Sequence, residues 1–186
     1  MSLKTAQSDS SGSMKNRHKT VWPSIGWVFS RPDRLLAFGF GTGLFRPGSG
    51  TWGTLLAAIL WWPLQQTVPH GILGVALLLG LVAGIWICGR TANSLGVADH
   101  VGIVWDEIIA FWLLMWAIPF NWVTLLVAFV LFRFFDVYKP FPIGWFDQNF
   151  KGGFGVMVDD LIAAFYAWLM MMTWFVFVGP MAGASV

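Results

Sequence analysis

Three acidic clusters, Asp106-Glu107, Asp136 and Asp159-Asp160, stand with the bases Arg133, Lys139 and Lys151 in a chain that is otherwise strongly apolar. Charge beside a hydrocarbon layer is costly unless it meets opposite charge, water or a charged ligand, so the grouping points to a working site. Arg133, Asp136 and Lys139 are spaced by three and share one face of a helix. A face carrying acid and base together suits a phosphate bound through a metal. Arg and Lys hold phosphate oxygens directly, and hard carboxylate oxygens without accompanying thiolates favour Mg²⁺ over zinc. Neighbouring helical residues point about 100° apart, so each acidic pair is expected to turn one carboxylate inward and the other to a supporting or capping position. Taken singly, Asp106, Asp159 and Asp160 have a plainer reading, as acids stabilised by the dipole in the first turn of a helix. Five acids at one face outweigh it.

The elements that must position these groups are membrane helices. Of 186 residues, 57% are hydrophobic and 11% charged, with 13 Trp, 17 Phe and a mean hydropathy of +0.69. This is a membrane composition. The fold class it implies is all-α, a polytopic integral membrane helical bundle of about five helices. The expected runs are Thr54 to Gln66, Ile72 to Gly89, Ile103 to Ile118, Trp122 to about Tyr138, and Val158 to Val178. The fourth stops at Lys139-Pro140, because proline disfavours helix for the residue before it. The first and third are short for a bilayer of roughly 30 Å. Residues 1–20 read as a polar, basic, disordered tail and 21–53 as an interfacial segment with a glycine-rich loop. Residues 54–180 form the membrane helical catalytic domain and 181–186 a short tail. No signal peptide is expected, since no apolar segment follows the basic residues of the start. The sole cysteine, Cys88, excludes a disulfide framework and a thiolate metal site, and a formal charge of +2 gives no footprint for nucleic acid.

All eleven Lys and Arg and all nine Asp and Glu map to one side of this arrangement. The connections Thr67-Val68-Pro69-His70 and Pro119-Phe120-Asn121 carry no charge. Lys and Arg enrich cytoplasmic loops, so the amino terminus and every charged loop are expected in the cytoplasm and the carboxyl terminus outside. The loop from Gly39 to Gly53 could bind phosphate through backbone N–H groups at a helix start, with Thr42 and Thr51 as candidate substrate contacts beside Lys151. A tight interfacial turn is the simpler reading of that loop, with Ser49 or Thr51 capping the helix after it. Asp99 and His100 read as a solvated loop, and the tryptophans as interface belts and helix packing.

Three motifs carry a resemblance to a known family. They are Gly39-Phe40-Gly41-Thr42-Gly43-Leu44 with Gly50-Thr51-Trp52-Gly53-Thr54, then Ile103-Val104-Trp105-Asp106-Glu107, and then Phe132-Arg133-Phe134-Phe135-Asp136 through Lys139-Pro140-Phe141-Pro142-Ile143 to Gly152-Gly153-Phe154-Gly155-Val156-Met157-Val158-Asp159-Asp160. From about Leu36 to Ala167 the chain resembles the phosphatidylglycerophosphatase A family of bacterial membrane enzymes. The resemblance implies a Mg²⁺-dependent phosphomonoester hydrolase of the inner membrane. Its substrate would be the phospholipid phosphatidylglycerophosphate, in phosphatidylglycerol and hence cardiolipin synthesis. The pattern departs at Ser49, where the family usually has proline, and at Gly144 and Gln148, where it often carries arginines.

On this reading the catalytic and metal-holding set is Asp106, Glu107, Asp136, Asp159 and Asp160. Asp106, Asp136 and Asp159 or Asp160 would hold Mg²⁺, which lowers the pKa of an attacking water. Arg133 and Lys139 would neutralise the phosphoryl oxygens. Glu107, or whichever aspartate is not a ligand, would be the general base. A phosphoaspartyl intermediate stays open, as does a homo-oligomer. The rival from another class is a cation- or proton-coupled transporter, which would place its acids near the midplane and carry visible repeats. An intramembrane protease carries little weight, because no histidine lies inside a span to serve as base.

Overall fold

The computed structural model describes residues 22–97, 100–150 and 152–177. The tails expected over 1–20 and 181–186 lie outside the described residues, as do Asp99 and Lys151. The described residues form helices and turns without strands. Two short helices, α1 (Ile25–Phe29) and α2 (Pro32–Ala37), precede a 3₁₀ turn, Gly39–Leu44. Then come α3 (Ser49–Thr67), α4 (His70–Ser94), α5 (Trp105–Trp116), α6 (Trp122–Tyr138), α7 (Ile143–Asn149) and α8 (Gly152–Phe177).

All five expected apolar runs are helical, with informative differences at their ends. Helix α3 begins five residues earlier than its apolar run, directly after Gly48, whose φ of +75° a side-chained residue rarely adopts. Neither Ser49 nor Thr51 caps it. The Ser49 hydroxyl instead donates to the Val101 carbonyl, tying the start of α3 to the segment before α5. Helix α6 opens with a reciprocal capping box between Asn121 and Thr124 and closes at Lys139, in the left-handed region at φ +45°. Helix α8 begins at Gly152, not near Val158. Asp159 and Asp160 therefore sit about two turns into the helix, beyond reach of the dipole of its first turn. Gly153, ahead of the expected start, is a packing contact: a Cβ there would overlap the carbonyl oxygen of Ile85 on α4.

Helix α5 is the centre of the bundle. Ile108, Ile109, Ala110, Phe111, Leu114 and Met115 are all at most 2% exposed, and α5 packs on α3, α4 and α8. Its tryptophans bind it to neighbours through indole N–H bonds to backbone oxygens. Trp105 donates to Gly80 over 3.1 Å, Trp112 to Ala57 over 2.8 Å and Trp116 to His70 over 3.0 Å. In an apolar surround such polar contacts join helices where the hydrophobic effect gives little. The 12 residues of α5 reach only about 18 Å, well short of a roughly 30 Å hydrocarbon layer. Two helices, His70–Ser94 and Gly152–Val176, are long and apolar enough to cross a membrane. The outward faces are apolar too, with Leu79 and Val82 on α4, Leu126 on α6 and Trp174 on α8 all more than half exposed. An apolar exterior of this extent suits lipid rather than water.

The close α4–α8 crossing gives a direct test. Gly153→Ala is expected to destabilise the protein by about 1–3 kcal/mol through overpacking, read as a lowered melting temperature in detergent. An unchanged melting temperature would mean that the two helices separate freely at this level.

Candidate functional site

The chain runs up and down the bundle, so the starts of α3, α5 and α8 lie at the same end as the finish of α6. One cavity of about 540 Å³ opens there. Asp106, Glu107, Arg133, Asp136, Lys139, Asp159 and Asp160 all line it. Asp106, Asp136, Asp159 and Asp160 are buried, at 5%, 9%, 7% and 3% exposure. Both members of each acidic pair reach the cavity, contrary to the inward-and-outward split expected from helical phase. The cavity is wide enough to be met by side chains 100° apart, one on either flank.

Arg133 is the central contact. Its Nη1 lies 3.0 Å from Glu107 Oε1 and 2.6 Å from Asp136 Oδ2, so one guanidinium nitrogen joins α5 to α6 while serving a carboxylate on its own helix. Lys139 Nζ reaches Asp159 Oδ2 at 2.7 Å and joins α6 to α8. The left-handed turn at Lys139 is what ends the helix there. Helix α3 contributes an absence of side chain. A Cβ on Gly50 would overlap Glu107 Oε1 and lie 2.9 Å from Arg133 Nη1, and one on Gly53 would lie 2.7 Å from Val104. These two glycines, one turn apart, form a notch that admits the Glu107 carboxylate.

The structure does not bring every expected contact here. Thr42 lies outside the cavity, where its hydroxyl donates to the Gly39 carbonyl at 2.8 Å, and Thr51 is exposed on the first turn of α3. Sequence reasoning missed Arg46 and Trp22, which line the rim. His100, expected in a solvated loop, is 1% exposed and lines the cavity. Its Nδ1 accepts the Gly102 N–H at 3.0 Å, and its ring packs edge-on against Trp22. The available signal for Arg46 was its position between two glycine motifs, a lone base in an apolar stretch.

The site's suitability for a metal can be judged from its donors. The buried anionic donors are all carboxylate oxygens, the chemistry of a hard cation, with Ser49 and His100 as buried neutral neighbours. Glu107 Oε2 is a buried acceptor, and Arg133 Nε a buried donor, without a hydrogen-bond partner. Buried polar atoms are rarely left so; a water would satisfy Glu107 Oε2 and a bound anion Arg133 Nε. Among the described residues, no group of three or more Asp, Glu, His or Cys side chains is already arranged to hold a metal ion. The fit is therefore one of donor type and charge, not of a preformed cage.

An all-helical, membrane-associated protein with an acid-and-base cavity at one end of its bundle is the class defined by the fold and site. The family model for "Phosphatidylglycerophosphatase A" matches residues 35–175. A protein of that name from Escherichia coli K12 is 45% identical over 148 residues, covering 79% of this chain and 85% of the relative. Its namesake from Haemophilus influenzae is 45% identical over 137 residues, covering 73% and 84%. A third relative, from Bacteroides thetaiotaomicron, is 36% identical over 144 residues and is provisionally named a phosphatidylinositol-3-phosphatase. No solved structure matches. The chain belongs to the phosphatidylglycerophosphatase A family, and this membership does not favour the transporter alternative.

Removing one member of the shared contact tests its geometry. Arg133→Met leaves Glu107 and Asp136 facing each other without a base, an expected loss of about 3–5 kcal/mol. Adding Glu107→Gln should restore part of it. Strict additivity of the two changes in mixed-micelle denaturation would show that the side chains do not act together.

Proposed function

We propose that this protein hydrolyses the terminal phosphomonoester of phosphatidylglycerophosphate, giving phosphatidylglycerol and inorganic phosphate, with Mg²⁺ as cofactor. The carrying observation is the single cavity in which five carboxylates meet Arg133 and Lys139, in a chain whose relatives bear the name of this phosphatase.

Charge supports the cation. Five carboxylates exceed the two bases that pair with them, and such a cavity repels a phosphate dianion unless a positive ion accompanies it. Asp106, Asp136 and one of Asp159 and Asp160 would hold that ion. When bound, Mg²⁺ supplies Lewis-acid polarisation of the phosphoryl group and a more acidic water. The protein's residues do the rest. Arg133, fixed by Glu107 and Asp136, presents its remaining donors to phosphoryl oxygens, and Lys139 exchanges Asp159 for substrate. Glu107 Oε2 accepts the proton of the attacking water. As the bond from phosphorus to the glycerol oxygen breaks, that oxygen takes up a proton, which Glu107 can return.

The charge map supports the topology. Every described base and acid lies at the cavity end or in the segments leading to it, while the opposite turns are uncharged. We place five helices in the membrane, counting the short α5 as a span buried within protein. The cavity then faces the cytoplasm at the bacterial inner membrane, where a lipid headgroup can enter.

Phosphate release from phosphatidylglycerophosphate in detergent micelles tests this reading. Release should require Mg²⁺ and fall by about 10²-fold or more in Asp136→Asn and Asp159→Asn, in proteins that still melt cooperatively. Metal-independent release, or full activity in both variants, would remove the carboxylate-bound cation from the reaction.

A further inference from the structure

The acidic cavity shares a wall with a second hollow. A groove of about 570 Å³ runs between α1 and the 3₁₀ turn, lined by Ile25, Phe29, Phe40, Leu44 and Phe45. Trp22 and Arg46 line both spaces. The groove is largely apolar. Phe40 is half exposed and sits at φ +57°, a conformation that is rare and strained for a bulky residue. Gly39 and Gly41, also at positive φ, flank it and let the turn present the ring outward.

Arg46 stands where the two spaces meet. It is exposed, its guanidinium carbon lies 3.6 Å from the centre of the Trp22 ring, and no carboxylate among the described residues pairs with it. The other described arginines at this end are engaged with acids or hydroxyls. Arg31 and Arg90 meet Asp33 at 3.0 and 3.2 Å, and Arg34 donates to the Ser30 hydroxyl at 3.0 Å. A guanidinium stacked on an aromatic face keeps its in-plane donors for an anion, held in place with little loss of rotamer freedom.

We infer that Arg46, stacked on Trp22, binds the uncleaved phosphodiester of the lipid and thereby selects substrates that carry a second phosphate. The inference rests on the phosphatase reading above and adds a specificity residue to it. Lipid and protein match in linear order. A phosphatidylglycerophosphate molecule presents, in sequence, a terminal phosphomonoester, a glycerol, a phosphodiester and two acyl chains. The protein presents, in the same sequence, the acidic cavity with Arg133 and Lys139, its rim, Arg46, and the apolar groove. A lipid monoester without the diester, such as phosphatidic acid, fills the cavity but leaves Arg46 unused. Arg46 touches no reacting atom, so it acts on binding and not on the chemical step.

The test uses the full chain in detergent micelles with Mg²⁺, comparing wild type, Arg46→Gln and Arg46→Lys. For phosphatidylglycerophosphate, Arg46→Gln should raise KM about ten-fold, the loss of one charge-assisted contact, with kcat within about two-fold. Arg46→Lys should recover part of the loss. The inhibition constant of phosphatidic acid against the same reaction should not move. Equal weakening for both lipids, or a weakening that depends on the anionic lipid content of the micelle, would overturn the proposal in favour of general attraction to the membrane surface. An unchanged KM would overturn it outright. If the wild type releases no phosphate, the phosphatase reading fails, and tryptophan fluorescence titrated with the two lipids decides Arg46 separately. A preference for the two-phosphate lipid that Arg46→Gln abolishes supports its role, and equal binding of both lipids by the wild type removes it.

Discussion

One guanidinium nitrogen shared by two carboxylates holds the working end of this bundle together. Arg133 Nη1 meets Glu107 and Asp136 within 3.0 Å, and both the base and Glu107 are mostly shielded from water. Such a group carries a heavy desolvation penalty, several kcal/mol per ion even after relaxation. Attraction at short range offsets it only if the geometry is close. That requirement reaches outward to the rest of the fold. Helix α5 must deliver Glu107 at its first turn, α6 must deliver Arg133 and Asp136 one turn apart, and α3 must lack side chains at Gly50 and Gly53 to leave room. A substituent of one carbon at Gly50 conflicts with both ions, so the glycine is as much a part of the contact as the charges.

The central helix is short for a reason that follows from this. Helix α5 begins where its acids must face the cavity and ends before the uncharged turn containing Pro119. Surrounded by α3, α4 and α8, it needs no lipid-facing length of its own. Its indole N–H groups bond to backbone oxygens of α3 and α4 and fix its height in the bundle. Height matters because a displacement along the axis would carry Asp106 and Glu107 away from Arg133. The packing of aromatic residues and the placement of charge are thus one constraint, seen from the buried side and from the cavity side.

Much of this was legible in the sequence. The helical class, five apolar runs and the stop at Lys139-Pro140 follow from hydropathy and proline chemistry, and the spacing of Arg133, Asp136 and Lys139 fixes their common face. What escaped was tertiary. Gly152 and Gly153 look like a turn because glycine breaks helices in water, yet at Gly153 close packing on α4 favours a residue without a side chain. That moved Asp159 and Asp160 two turns into α8 and removed their reading as caps. His100 looked solvated because it lies in a polar loop, but the loop folds back over Phe38 and Trp22 and buries the ring. Ser49 looked like a cap and proved to be a bridge to Val101. No local pattern encodes which loop covers which cavity.

The excess of acid over base explains why such a site belongs at the end of a bundle and not at its middle. At the midplane, five carboxylates with two bases would be stable only if several were neutral, and a neutral cluster neither attracts a cation nor orients a water. At the end of the bundle, water and counterions can enter beside the substrate while apolar walls still exclude bulk solvent. The two bases are each already bound to a carboxylate, so on the proposed reading neither would have to be desolvated anew when a phosphate arrives; each would exchange one anion for another. Preformed pairs of this kind lower the reorganisation needed for phosphate binding. They also keep the acids from driving the helices apart when no ligand is bound. The same pairs that make the folded protein tolerable to its own charge keep Arg133 and Lys139 in the lining of the cavity.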